Sequence, residues 1–168
     1  MAISRTSRAP DPRQRADPAA ARSAAIALLA RRDFSCTELG DRLIRRGFDA
    51  GAAQEVVAEL AREGVLDEER YAHNYVAYHA GRGQGPIRIA AELRRHGLPV
   101  ALIEAALAAG PDWRALAGQV CRARFGPQPP SGWAQQARQA RFLQYRGFSS
   151  DHIRAAAGTE PDTGLTDP

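Results

Sequence analysis

Large apolar side chains occur in short clusters separated by small and polar positions. No run alternates in the two-residue period of a strand, and no valine- or threonine-rich run suggests one. Helix punctuation between the clusters is dense. Ser35-x-x-Glu38 has the form of a capping box, and Asp67 followed by Glu68 and Glu69 puts acidic groups where a helix dipole favours them. Asp112 after Pro111 and Ser149 after Phe148 are further N-cap candidates, while Gly64 and Gly110 stand where glycines end helices. This punctuation predicts nine helices, over about 20–32, 35–46, 50–63, 67–80, 86–96, 99–109, 112–124, 132–146 and 150–157.

The clusters repeat at a fixed interval. Leu43, Leu93 and Leu143 are fifty residues apart, as are Gly47, Gly97 and Gly147, each followed by a large apolar residue: Phe48, Leu98 or Phe148. Before each glycine stands a basic or ionisable residue, Arg46, His96 or Arg146, and six residues beyond it come Ala53, Ile103 or Ile153. Upstream, Leu39 and Ile89 correspond, but the third position is Gln139. The repeated element is a helix, a glycine stop, a buried apolar anchor and a second helix. A leading helix precedes each, carrying Ile26, Leu28 and Leu29, then Tyr71, Tyr75, Val76 and Tyr78, then Trp113, Leu116 and Val120. The expected fold is all-α, three tandem three-helix repeats over 21–64, 65–110 and 111–158 in an elongated, curved array. Residues 1–20, with three prolines and four arginines, read as a disordered basic arm, and 159–168 as a disordered acidic tail.

Composition narrows the chemistry. The 168 residues carry 23 cationic side chains, all arginine, against 19 acidic ones, a formal charge of +4. A GC-rich coding bias is the plainer explanation for the missing lysine, although arginine is also the better residue for forked contacts to phosphate or carboxylate. Cys36 and Cys121 form no disulfide framework, and the apolar run from Ala24 to Ala30 is too short to cross a bilayer, so a cytoplasmic protein without membrane contact is expected. His73, His79, His96 and His152 make no metal-ligand spacing, and neither cysteine lies in a Cys-x-x-Cys motif. The run Gly81-Arg82-Gly83-Gln84-Gly85-Pro86 resembles a phosphate cradle but follows a helix. It reads as a glycine stop, a flexible joint and a proline opening the next helix. Tyr71, Tyr75 and Tyr78 share a helical face and read as core rather than as a base-stacking platform. No catalytic residue, metal or cofactor is expected, and the chain is not read as an enzyme.

Charge is distributed unevenly. Residues 21–64 hold seven arginines and seven acidic residues, residues 65–110 five of each. Residues 111–158 hold seven arginines against Asp112 and Asp151, a surplus of five. Arg138, Arg141 and Arg146 lie on a helix without acidic residues, and Tyr145 continues the face shared by Arg138 and Arg141. Arg138, Arg141, Tyr145 and Arg146 are the candidate partner-binding residues, for DNA phosphates or an acidic protein groove; a merely solvated face is the alternative.

Three segments carry a resemblance. Leu66-Asp67-Glu68-Glu69-Arg70-Tyr71-Ala72 is similar to the pattern Leu-Asp-Asp-x-Arg-Phe-Ala of the RecX family, regulators of the RecA recombinase. Gly85-Pro86-Ile87-Arg88-Ile89 leading into Glu92-Leu93-Arg94-Arg95-His96-Gly97-Leu98 resembles that family's second-repeat signature, and Arg141-Phe142-Leu143-Gln144-Tyr145-Arg146-Gly147-Phe148 its third. The resemblance spans about Ala21 to Ala157. It implies three three-helix units lying in the groove of the RecA–DNA filament, limiting filament extension, ATP hydrolysis, strand exchange and co-protease activity. A role in recombination, DNA repair and the SOS response follows. RecA in its filament is the implied partner, a monomer the expected state, and direct binding of single- or double-stranded nucleic acid the second reading. The more polar third middle helix, with Gln136 and Gln139, leaves open which of its faces is buried.

Overall fold

The computed structural model describes residues 15–157. Among them helices alone are formed: α1 (Pro18–Leu29), α2 (Cys36–Arg45), α3 (Ala50–Arg62), α4 (Glu68–Gly81), α5 (Pro86–Arg95), α6 (Val100–Ala108), α7 (Trp113–Phe125), α8 (Trp133–Arg146) and α9 (Ser150–Ala157). Every expected helix is found. The caps act as their residue types require: Ser35 Oγ accepts from Glu38 N–H at 3.1 Å, and Asp112 Oδ1 from Arg114 and Ala115 N–H at 2.9 and 3.0 Å. The expected arm is shorter than its composition suggests. Asp17 caps Ala19 N–H at 2.9 Å and Pro18 opens α1, so 18–20 are helical. The rest of that arm up to residue 14, and the acidic tail, lie outside the described residues.

The fold comprises two compact units. One takes the chain through Ala72 together with Leu93–Leu102, the other His73–Glu92 with the chain from Ile103 onward. In the first, Leu39, Leu43, Phe48, Val56 and Leu60 of the α2–α3 hairpin pack with Phe34 and with Ala21, Ala25 and Leu28 of α1, whose small residues let that helix approach closely. In the second, α7, α8 and α9 enclose Ala117, Cys121, Leu143 and Phe148, with Trp113, Phe125, Phe142 and Ile153 packed around them.

The fifty-residue recurrence has one geometric basis. Gly47, Gly97 and Gly147 have φ of 97°, 81° and 89°, a region where a Cβ is penalised. After each, the anchor's N–H returns to the leucine carbonyl five residues back: Phe48 to Leu43 at 3.2 Å, Leu98 to Leu93 at 3.2 Å, Phe148 to Leu143 at 3.1 Å. The glycine N–H bonds three residues back, which completes a Schellman motif in each repeat. All three anchors and all three leucines are buried.

The same stop receives the preceding repeat's middle helix. Within the first unit, Ser35 Oγ–H donates to the His96 carbonyl at 2.7 Å, and a Cβ on Gly97 would lie 2.2 Å from Thr37 Oγ1. Within the second unit, Gly85 N–H donates to the Arg146 carbonyl at 2.8 Å and Ile87 N–H to the Gly147 carbonyl at 3.0 Å; a Cβ on Gly147 would lie 2.4 Å from Arg88 Cβ. Ser35 and Gly85, and likewise His96 and Arg146, are fifty residues apart, so one joint occurs twice.

The structure alters three expectations. Gly110 does not enter the left-handed region; its bareness serves close approach, since a Cβ there would lie 2.8 Å from Trp113 Cζ2. The Gly81–Pro86 run is a packed joint and not a loose one, because a Cβ on Gly85 would lie 2.4 Å from the Gly147 carbonyl carbon. The tyrosine face divides. Tyr71 is buried with its hydroxyl 2.6 Å from His96 Nδ1, and Tyr75 O–H donates to Glu92 Oε2 at 2.9 Å, but Tyr78 is 59% exposed. Burial pushes the Glu92 carboxyl up, yet the hydrogen bonds from Tyr75 and Arg88 and the charges of His79 and Arg88 outweigh it and hold it below the usual range.

Gln139 settles the buried face of α8. It is 7% exposed and accepts from the Cys121 thiol at 3.4 Å, a polar pair in the place of Leu39 and Ile89. Burial raises the Cys121 thiol. The Cys36 thiol is pushed up to about 11, first by burial and then by Glu68, whose Oε1 accepts from Cys36 N–H at 2.9 Å.

Gly64, at φ 69° with open space around its Cα, isolates backbone strain from packing. Gly64→Ala is expected to cost about 1–2 kcal/mol, the left-handed penalty alone. Gly97→Ala should cost at least about 1 kcal/mol more, because Thr37 must also move. Equal losses in denaturant unfolding would show that the joint carries no packing energy. A second expectation concerns pH. Ser149 N–H donates to His152 Nδ1 and His152 N–H to Ser149 Oγ, both at 3.3 Å, an arrangement open only to the unprotonated nitrogen. Burial, then the charge of Arg114, lowers the His152 pKa against the opposing pull of Asp151 and Asp112. The folded chain therefore binds this proton less readily than the unfolded one. The stabilisation is complete above about 6.5, the unfolded pKa, and is lost as pH falls through and below it. Melting temperature should drop between pH 7.5 and 5.5, and drop less in His152→Asn; identical slopes would remove His152 from the account.

Candidate partner-binding face on α8

The fourteen residues of α8 include no acid, and the nearby acids are engaged elsewhere. Asp112 caps α7, and Asp151 pairs with Arg154. The buried stripe of Gln139 and Leu143 fixes what the opposite side presents: Arg138, Arg141 and Tyr145, three and four residues apart and all exposed. Tyr145 is 81% exposed, so its ring is not core.

Aromatic rings, not carboxylates, hold the arginines around this face. Phe125 and Phe142 meet edge to face at 5.3 Å. Arg124 and Arg138 each stand 5.7 Å from the Phe125 ring centre, and Arg146 stands 5.2 Å from that of Phe142. Arg141 Nε–H donates to the Ala137 carbonyl of its own helix at 3.3 Å. Neutral partners of this kind orient a guanidinium without cancelling its charge, and each leaves several N–H donors unused.

The structure brings together three of the four candidate residues. Arg146 turns away: it is half-buried, and its Nη1–H donates to the Arg82 carbonyl at 3.0 Å. Trp133, the first residue of α8, is 82% exposed and was absent from the expected site. The fifty-residue register carries its signal, because Trp133 aligns with Asp33 and Gly83, where no apolar residue belongs to the repeat. Tyr145 aligns in the same way with exposed Arg45 and Arg95. Among the described residues no group of histidine, cysteine and carboxylate side chains is placed to hold a metal ion, and no helix is long and apolar enough to span a membrane.

Comparison with known proteins matches this architecture domain by domain. Family models for the first, second and third three-helix domains of RecX match residues 21–60, 67–107 and 112–156. The chain is 48% identical over 139 residues to the regulatory protein RecX of Halorhodospira halophila, covering 82% of this chain and 86% of that one. It is 40% identical over 147 residues to the regulatory protein RecX of Acidithiobacillus ferrooxidans, covering 86% and 91%. The crystal structure of RecX from Lactobacillus salivarius superposes with a TM-score of 0.74 at 21% identity, over 84% of this chain and 95% of that one. Three domain matches in order, with this identity over most of the chain, place it in the RecX family of regulatory proteins.

Proposed function

We propose that the chain is a regulator of RecA, mainly a negative one, that binds in the groove of the RecA–DNA filament. There it limits filament extension, ATP hydrolysis, strand exchange and co-protease activity. Membership of the RecX family carries this reading, and two features of the chain support it. Among the described residues no assembly of nucleophile, base and metal ligands suggests catalysis, and the uncompensated charge of the three repeats is gathered on the third. In this reading the exposed face of Arg138, Arg141 and Tyr145 is a principal contact, and Arg146 contributes from its half-buried position beside it. Guanidinium groups fork equally well to DNA phosphates and to acidic protein surface, both of which a filament presents. Several modest contacts on one chain reinforce one another through effective concentration, so no deep pocket is required.

Direct binding to nucleic acid is the second reading, favoured by the exposed aromatic rings of Trp133 and Tyr145 on the helix that carries the arginines.

The test is an inhibition titration of RecA ATP hydrolysis on single-stranded DNA. Wild-type chain should inhibit, and Arg138→Glu/Arg141→Glu should need about tenfold more protein or higher for the same effect, from the loss of two charge-assisted contacts. A thermal melt alongside separates lost binding from lost folding. A double variant that melts and inhibits like wild type would reduce the face to a solvated surface. A wild type without effect on RecA would end the regulatory reading itself.

A further inference from the structure

A second basic feature adjoins the exposed stripe and reaches the glycine-rich run whose sequence resembles a phosphate cradle in the wrong context. Arg82, Gly83, Val120, Arg124, Phe142 and Arg146 line an open cleft of about 320 Å³. Three of these lining residues are arginines and none is acidic.

Each arginine is held by a neutral partner. Arg82 Nη1–H donates to the Tyr78 hydroxyl at 2.8 Å, and its guanidinium stands 5.3 Å from that ring centre. Arg146 Nη1–H donates to the Arg82 carbonyl while the group lies against Phe142. Arg124 rests against Phe125. Among the described residues none of the three has a carboxylate partner. They are oriented in advance, their charge is intact, and most of their donors are free.

The cleft floor also depends on glycine. Gly83 is buried at φ 75°, and a Cβ there would lie 3.0 Å from Val120 Cγ2 and 3.4 Å from Arg146 Nη1. Any side chain there would press on Val120 and Arg146.

The geometry points to a phosphate-binding cleft formed by Arg82, Arg124 and Arg146, which grips a phosphodiester of a DNA strand independently of RecA. A tetrahedral phosphate offers oxygens in several directions and suits a cleft lined by several arginines, whereas a carboxylate is planar and is satisfied by one forked arginine. The exposed Tyr78 ring beside Arg82 supplies a surface on which an adjoining base can stack.

The experiment uses the full chain and a fluorescein-labelled thirty-nucleotide oligothymidylate without RecA, so its failure leaves the filament reading standing. Affinity should fall with salt, and Arg82→Gln/Arg124→Gln should weaken binding and flatten the slope of log K against log salt by about 1.4, two phosphate contacts' worth on a single strand. Arg124→Gln alone, which touches only the Phe125 ring, should flatten it by about half that and covers the case in which the double variant melts early. No binding by wild type, or a slope unchanged in both variants, overturns the assignment. Competition separates the sources of anion. Inorganic phosphate displacing the strand better than chloride at equal ionic strength would make this a site for free phosphate. Polyglutamate displacing it as well as unlabelled oligothymidylate does would make it a site for acidic protein. Either outcome overturns the strand assignment.

Discussion

At the end of each middle helix the chain must stop, reverse and bury a large side chain within two residues. A left-handed glycine makes the reversal, the returning amide of Phe48, Leu98 or Phe148 satisfies a carbonyl that the ended helix leaves free, and the anchor ring or isobutyl group closes the core beneath. The bare glycine surface is in turn what another backbone needs in order to come close. Thr37 lies against Gly97 and Arg88 against Gly147, at distances no Cβ would permit. The residue that ends one helix is thus also the socket for the beginning of another, and a substitution there damages turn, core and joint together.

This economy explains how so small a hydrophobic inventory suffices. Alanine fills much of the interior, and the large apolar side chains buried there are few: the anchors, Leu39, Leu43, Ile89, Leu93 and Leu143 of the middle helices, and positions such as Val56, Leu60 and Ile103 on the helices that follow. Where the third repeat replaces an aliphatic residue by Gln139, the cost of burying an amide is met by the Cys121 thiol, itself kept neutral by burial. The outer surfaces are released from folding duty, and there the repeats diverge. The first two balance their charges, for instance through Arg22 with Glu59 and Glu63, whereas the third leaves arginines on aromatic rings.

Much of the fold was readable from sequence because its determinants are local. Capping side chains, glycine stops and the fifty-residue interval each act within a few residues or repeat without variation, so helix order and anchors emerged correctly. Determinants that depend on distant partners did not. Nothing near Gly110 distinguishes a left-handed stop from a close approach to Trp113, and nothing near Gly85 announces the carbonyl of Arg146. For the candidate face, spacing placed Arg138, Arg141 and Tyr145 together, since three- and four-residue intervals define a helix side. Arg146 shares the charge but not the side, and its carbonyl partner lies sixty-four residues away. Trp133 carries no charge and no spacing that would join it to the face; only its misfit to the repeat register marks it as exposed.

The two thiols carry a practical consequence. With the Cys36 pKa at about 11, roughly one molecule in ten thousand is a thiolate at pH 7, and the raised Cys121 is likewise the protonated form. Maleimides and iodoacetamides attack the thiolate. A single cysteine introduced at exposed Tyr145 or Trp133 would therefore accept a fluorophore or spin label in the native background, with both original cysteines left in place. The burial that keeps both native thiols protonated thus leaves one introduced cysteine as the reactive site for a single label.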